Sequence, residues 1–269
     1  MTWQPEPTDS GPDLPGQPEP GRQRRRSWVA VIAVLTVGLL GLAAGAAGAA
    51  HEVLPRQFSA AQQQQIMTWE MSRRWRADSA GQIFPAAIVY QVPAQALYAT
   101  QNLQLSASRL GIAPQGNCST DVTAAAARVL AAGRCIAVLR ATYADASQSM
   151  VVTLGVAVLP DITLASVTWR RLMEADRGLA LSVEPFPVPG TEAARFHDRQ
   201  RQLSVAVWDG PYVVMSVAAF TDGRPHLQLS SDSYYDQEMT SLAQGLADSI
   251  ARHIGVRPPV PRCPGTPGC

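Results

Sequence analysis

Residues 28–50, WVAVIAVLTVGLLGLAAGAAGAA, run for 23 positions without a charged side chain. As a helix the segment is about 35 Å long, enough to cross a hydrocarbon core of about 30 Å. No face of it suits water, so it predicts one transmembrane helix rather than a buried soluble one. Arg22, Arg24, Arg25 and Arg26 precede it, and only Glu52 and Arg56 follow closely. That bias places the N-terminus in the cytoplasm and residues 51–269 outside.

A cleaved signal peptide is the competing reading. The strongly apolar part is 28–42, AAGAAGAA offers small-residue cleavage sites such as that after Ala49, and Arg25-Arg26-Ser27 imitates a twin-arginine signal. Against it stands the tail 1–27, long for a signal's basic region. Its prolines at 5, 7, 12, 15, 18 and 20 forbid a helix, and a disordered segment is expected. An uncleaved signal anchor is the favoured reading. Gly41 and Gly45 have the spacing that lets two such helices approach, which allows a homodimer.

Charge is nearly balanced, 22 basic residues against 21 acidic, and only 16% of side chains are charged. This excludes an acidic solvating chain and argues against a nucleic-acid partner. All 22 basic residues are arginine. Arginine codons can be GC-rich where lysine codons cannot, so the source is expected to be a high-GC bacterium and the location its cell membrane.

Cys118, Cys135, Cys263 and Cys269 form an even set, as export to an oxidising compartment favours. Pairing is expected to be local. A Cys118–Cys135 bond would staple a predicted helix to the next strand, and Cys263–Cys269 would close CPGTPGC. Sixteen and five intervening residues do not match structural zinc spacing.

Beyond residue 50, Ser59-x-x-Gln62 is a capping box, and Ile66, Met67, Trp69, Met71 and Trp75 predict an amphipathic helix to about Arg76. Arg73, Arg74 and Arg76 at its end are expected to complement the helix dipole in water. Strands are expected at 86–92, 103–112, 135–143 and 150–159, the last two joined by ADASQS. Helices are expected at about 120–132, from Pro160 to Glu174 with Asp161 as N-cap, and at 234–254. Residues 178–190 look like a strand-like run passing into the Pro-Gly-rich PFPVPG loop, and 191–196 look like a short helix. Gln202–Trp208 and Pro211–Ala219 flank Asp209-Gly210, the strongest hairpin signal in the chain. Hairpins alternating with single helices predict α+β: an antiparallel sheet with helices on one or both faces. The expected organisation is tail 1–27, membrane helix 28–50, linker and amphipathic helix 51–80, extracytoplasmic domain 81–256, and disulfide-closed tail 257–269.

The strings GQIFP (81–85), LGIAPQGNC (110–118), ATYADASQSMVVTLGVAVLP (141–160), GPYVVM (210–215) and CPGTPGC (263–269) resemble those of uncharacterised single-pass membrane proteins of actinobacteria. The order of tail, span and exported domain is also similar to that of mycobacterial envelope sensor-like proteins. Neither resemblance implies a catalytic residue.

Candidate chemistry is sparse. His51-Glu52 lacks the second histidine of a zinc protease, and His197-Asp198 are adjacent, so their side chains are expected to point apart. His226 and His253 stand near a turn and a helix end. Asp222, Asp232, Asp236 and Glu238 cluster in sequence without calcium-loop spacing. Asn117-Cys118-Ser119 matches a glycosylation sequon by chance in a bacterial chain. No nucleotide, phosphate or serine-nucleophile motif is present, so no catalytic residue, cofactor or metal site is expected. The expected role is binding of another envelope protein, a lipid or a glycan. An exported hydrolase, or a secreted accessory protein after cleavage, are the alternatives.

Overall fold

The computed structural model describes residues 28, 31–38, 58–94, 100–175, 179–227 and 234–256. The chain divides into two units, the second beginning at Phe58. In the first, Trp28 and residues 31–38 are helical and exposed. The rest of the segment 28–50, including Gly41 and Gly45, lies outside the described residues. Among the described residues no helix is long and apolar enough to cross a membrane.

The second unit opens with the expected box. Ser59 Oγ accepts from the Gln62 N–H (3.3 Å), and Gln62 Oε1 accepts from the Ser59 N–H (3.0 Å). Helix α1 (Ala60–Ala77) follows and buries Ile66, Met71 and Trp75. Ser79 and Gln82 repeat the box and start the one-turn α2 (Ala80–Ile83), which the sequence reading missed. That turn seats Ile83 and Phe84 in the core. The boundary expected between residues 80 and 81 thus falls inside α2.

The remaining elements are β1 (Ala87–Val92), β2 (Leu103–Ile112), α3 (Ala124–Ala132), β3 (Ala137–Asp145), β4 (Met150–Val158), α4 (Ile162–Ala175), β5 (Leu203–Asp209), β6 (Tyr212–Phe220) and α5 (Tyr234–Gly255). Short 3-10 turns stand at Glu192–Arg195 and Asp198–Gln200. The fold is α+β. Six strands lie in the order β1-β2-β3-β4-β6-β5, every neighbouring pair antiparallel. Helix α5 touches both edge strands as well as β4 and β6, so the sheet curls around it.

Both faces of the central strands are covered. Met150, Val152, Leu154, Val156 and Val158 of β4 face one core with Met239, Leu242, Leu246, Ile250 and Ile254 of α5. Val151 and Ala157 face the other with Leu130 of α3 and Ala165 and Leu172 of α4. A strand buried on both sides needs no polar alternation, which is why MVVTLGVAV reads as one apolar run. Local signals hold the turns. Asp145 Oδ1 accepts from the Met150 N–H (2.7 Å) in the β3–β4 hairpin, Gly210 takes φ +53° at the β5–β6 turn, and Asp161 Oδ1 accepts from the Leu164 N–H (2.8 Å) at α4.

One expectation fails. Residues 179–190 form no strand; their only ladder contact is an isolated bridge, Val122 with Val183. Pro185, Pro187 and Pro189 have no N–H to donate, so this stretch crosses the sheet as a strap. At Phe186 it is held by a buried threonine pair. Thr142 Oγ1 donates to the Phe186 carbonyl (2.7 Å), Thr153 Oγ1 accepts from the Phe186 N–H (3.0 Å), and the two hydroxyls are 2.8 Å apart. Val183 and Val188 plug gaps left by glycines in the strands. A Cβ on Gly155 would stand 2.5 Å from Val183 Cγ2, and one on Gly111 would stand 2.9 Å from Val188 Cγ2. Gly155→Ala should therefore lift the strap and cost about 1–3 kcal/mol, read as a lower melting temperature and faster proteolysis within 179–190.

Candidate functional site

The disulfide expected between Cys118 and Cys135 is present, with Cα atoms 6.1 Å apart. It ties the loop after β2 to the short link between α3 and β3. Cys263 and Cys269 lie outside the described residues, as do His51 and Asp232.

His197 and Asp198 do not form a dyad. His197 is exposed, and its backbone N–H donates to Gln200 Oε1 (2.8 Å). Asp198 instead pairs with Arg201 Nε at 2.6 Å. His226 Nδ1 lies 3.0 Å from the Arg201 carbonyl, on the surface. Hydrogen bonds from the neighbouring Arg224 hold the Asp222 carboxyl below its ordinary range, in an exposed turn. Asp236 and Glu238 belong to α5. Asn117 Oδ1 caps its own turn by accepting from the Ser119 and Thr120 N–H groups (both 2.9 Å). Among the described residues no group of three or more His, Cys, Asp or Glu is arranged to hold a metal.

Sequence reasoning missed two features of the domain. The first is a charge network under the strap. Arg140 of β3 pairs with Asp121 and donates to the Glu184 carbonyl (3.2 Å). Arg201, 3% exposed, pairs with Glu184 at 2.7 Å and donates to the Leu179 carbonyl (3.2 Å). An open hollow of about 530 Å³ lies over Glu184, Asp198, Arg201 and the first residues of α3. Both arginines are already paired with carboxylates. Thr123 Oγ1 accepts from the Ala126 N–H (3.2 Å) and so caps α3. Among the described residues lining it, the hollow thus offers no spare cation to an anionic ligand. Its chemistry is structural: it locks the strap to the sheet. The available signal was Arg140 itself, a charge within the apolar run IAVLRATY.

The second feature is a recess beside α1, about 80 Å³ in volume. On the same measure one water needs about 10–15 Å³, so this is room for side-chain groups rather than a packing fault. Met67, Met71, Pro160, Ile162 and Pro211 supply apolar walls; Gln64, Thr68, Ser72 and Asp161 supply the polar rim. Tyr212 donates to the Met71 carbonyl and pins α1 to β6. Burial pushes its phenol up to about 12, so it stays a neutral donor at ordinary pH. Close by on the same helix, Trp69 is 39% exposed and carries the Arg73 guanidinium 4.3 Å from its ring centroid. Ile162 is 43% exposed at the recess wall. The basic cluster at the end of α1 is dispersed among tasks. Arg73 stacks on Trp69, Arg76 on Trp75, and Arg74 donates to the Ile254 carbonyl of α5 (2.9 Å).

A concave apolar wall with a polar rim, beside an exposed tryptophan and isoleucine, is suited to gripping apolar groups. Methionines add adaptability, because their unbranched thioethers reshape around different partners. No family model, no curated protein and no solved structure matches the chain, so this geometry is the ground on which its function is argued.

Proposed function

We propose that this chain is a single-pass protein of a bacterial cell envelope, with its N-terminus in the cytoplasm and an exported α+β domain that acts as a binding module for another envelope protein. The observation that carries the binding role is the methionine-walled recess beside α1, with Trp69 and Ile162 exposed next to it. Apolar side chains of a protein partner suit it best; a lipid or a glycan is the less favoured ligand. The uncharged segment 28–50 and the arginines before it support the anchor, and the Cys118–Cys135 bond favours an oxidising compartment. The resemblance to actinobacterial single-pass proteins agrees with this placement. Pairing of two anchors through Gly41 and Gly45 would present two domains side by side.

In situ crosslinking in the native host, followed by solubilisation and capture, tests the module. The expected result is one envelope protein recovered in near-stoichiometric amount, and its loss on Ile162→Asp. Recovery of the chain alone would overturn the protein-partner reading. A mature chain beginning near Ala50 or His51 would overturn the anchor.

A further inference from the structure

The recess lies where the last helix ends. At its C-terminus α5 meets the β5–β6 turn: a Cβ on Gly255 would stand 2.6 Å from Asp209 Cβ, and one on Gly210 would stand 3.7 Å from both Gly255 Cα and Met71 Sδ. Arg74 of α1 donates to the Ile254 carbonyl (2.9 Å) and holds that last turn beside α1. Met71 and Pro211 are walls of the recess. The chain therefore leaves α5 at the rim of the recess, through Val256, which is 55% exposed.

The next five residues are Arg257-Pro258-Pro259-Val260-Pro261. Prolines so spaced favour the polyproline II helix, which rises about 3.1 Å per residue, so five residues reach about 15 Å. From Met71 back to Gln64, the stretch of α1 along the recess covers about 10 Å. Reach and groove match. A segment already stiffened by proline loses little entropy on docking, and such segments bind apolar grooves through alternate side chains. Charge agrees as well: the segment's only charged side chain is Arg257, and among the described residues lining the recess the charged one is Asp161.

We propose that the recess between α1 and the start of α4 is a docking groove for the chain's own segment Arg257–Pro261, bound in cis. This deepens the binding role proposed above and rests on the same recess. The tail is an internal competitor, and a partner's apolar segment gains the groove by displacing it. The readout below follows the tail itself, so it succeeds or fails apart from any partner.

The test places a benzophenone amino acid at Thr68, on the exposed rim, in the full chain in its native membrane. Illumination should join Thr68 to residues 257–261. In a mixture of isotopically heavy and light chains, every such product should be wholly heavy or wholly light. Val260→Asp removes one buried apolar side chain and should lower the yield about tenfold. Because Val260 follows the last helix, this variant should melt with the wild type, which separates loss of docking from loss of folding. Products joining heavy to light chains would overturn cis docking in favour of a second copy. Products only with another polypeptide, only within α1 and α4, or unchanged by Val260→Asp would overturn the groove's assignment to the tail.

Discussion

Asp121→Ala is expected to destabilise the domain by about 3–5 kcal/mol, the usual cost of removing one partner from a buried ion pair. Asp121 is 9% exposed, and its side chain both pairs with Arg140 and accepts from the Asn117 N–H (2.7 Å). Without it the Arg140 guanidinium keeps the Glu184 carbonyl and the Phe186 ring but no carboxylate among the described residues. Its side chain is only 15% exposed, so water replaces the lost carboxylate poorly. Asp121→Asn, which keeps the acceptor and removes the charge, should lie between wild type and alanine. The double change Asp121→Ala with Arg140→Met should recover much of the loss, because an apolar pair leaves no buried charge behind. Chemical denaturation of the four proteins checks this. Equal losses for the single and double variants would mean that packing, not charge, holds the strap.

Cys118→Ser should cost about 3 kcal/mol, from the loop-closure entropy returned to the unfolded chain when a bridge of this span is lost. In a domain of this size that is a melting temperature lower by roughly 6–12 °C. Cys135→Ser should give the same figure, and the two together no more than either alone. Reductant should lower the wild type to the same value and leave both variants unmoved. A wild type indifferent to reductant would show that the bond adds nothing to stability.

Much of the fold is legible in the sequence because its signals are local. Ser59 with Gln62, Asp161 before its helix, and Asp209-Gly210 between two apolar runs each act through neighbours within a few residues. The error at 179–190 has a physical cause. Val183 and Val188 carry strand-like character, but the prolines between them withhold donors, and the true partners are glycines and threonines far away in sequence. The charge network was hidden for the same reason: Asp121, Arg140, Glu184 and Arg201 come from four separate stretches and meet only in the folded domain. Met67 and Met71 were legible as part of an apolar helix face. Periodicity cannot tell that the ends of β4 and β6 leave part of that face uncovered, because that depends on how far α4 stands from α1.

The curled sheet and its single long helix also set an order of events. All six strands precede α5 in the chain, yet α5 alone covers most of one face of β4 and β6. Until residues 234–255 have left the ribosome, the growing protein is a trough of valine, leucine and tyrosine covered only in part, by Trp75, Ile83 and Phe84. Incomplete chains with such surfaces are prone to stick to one another. A holding chaperone would be needed for longest over this trough, and truncations that end before Tyr234 should collect in aggregates rather than fold in part.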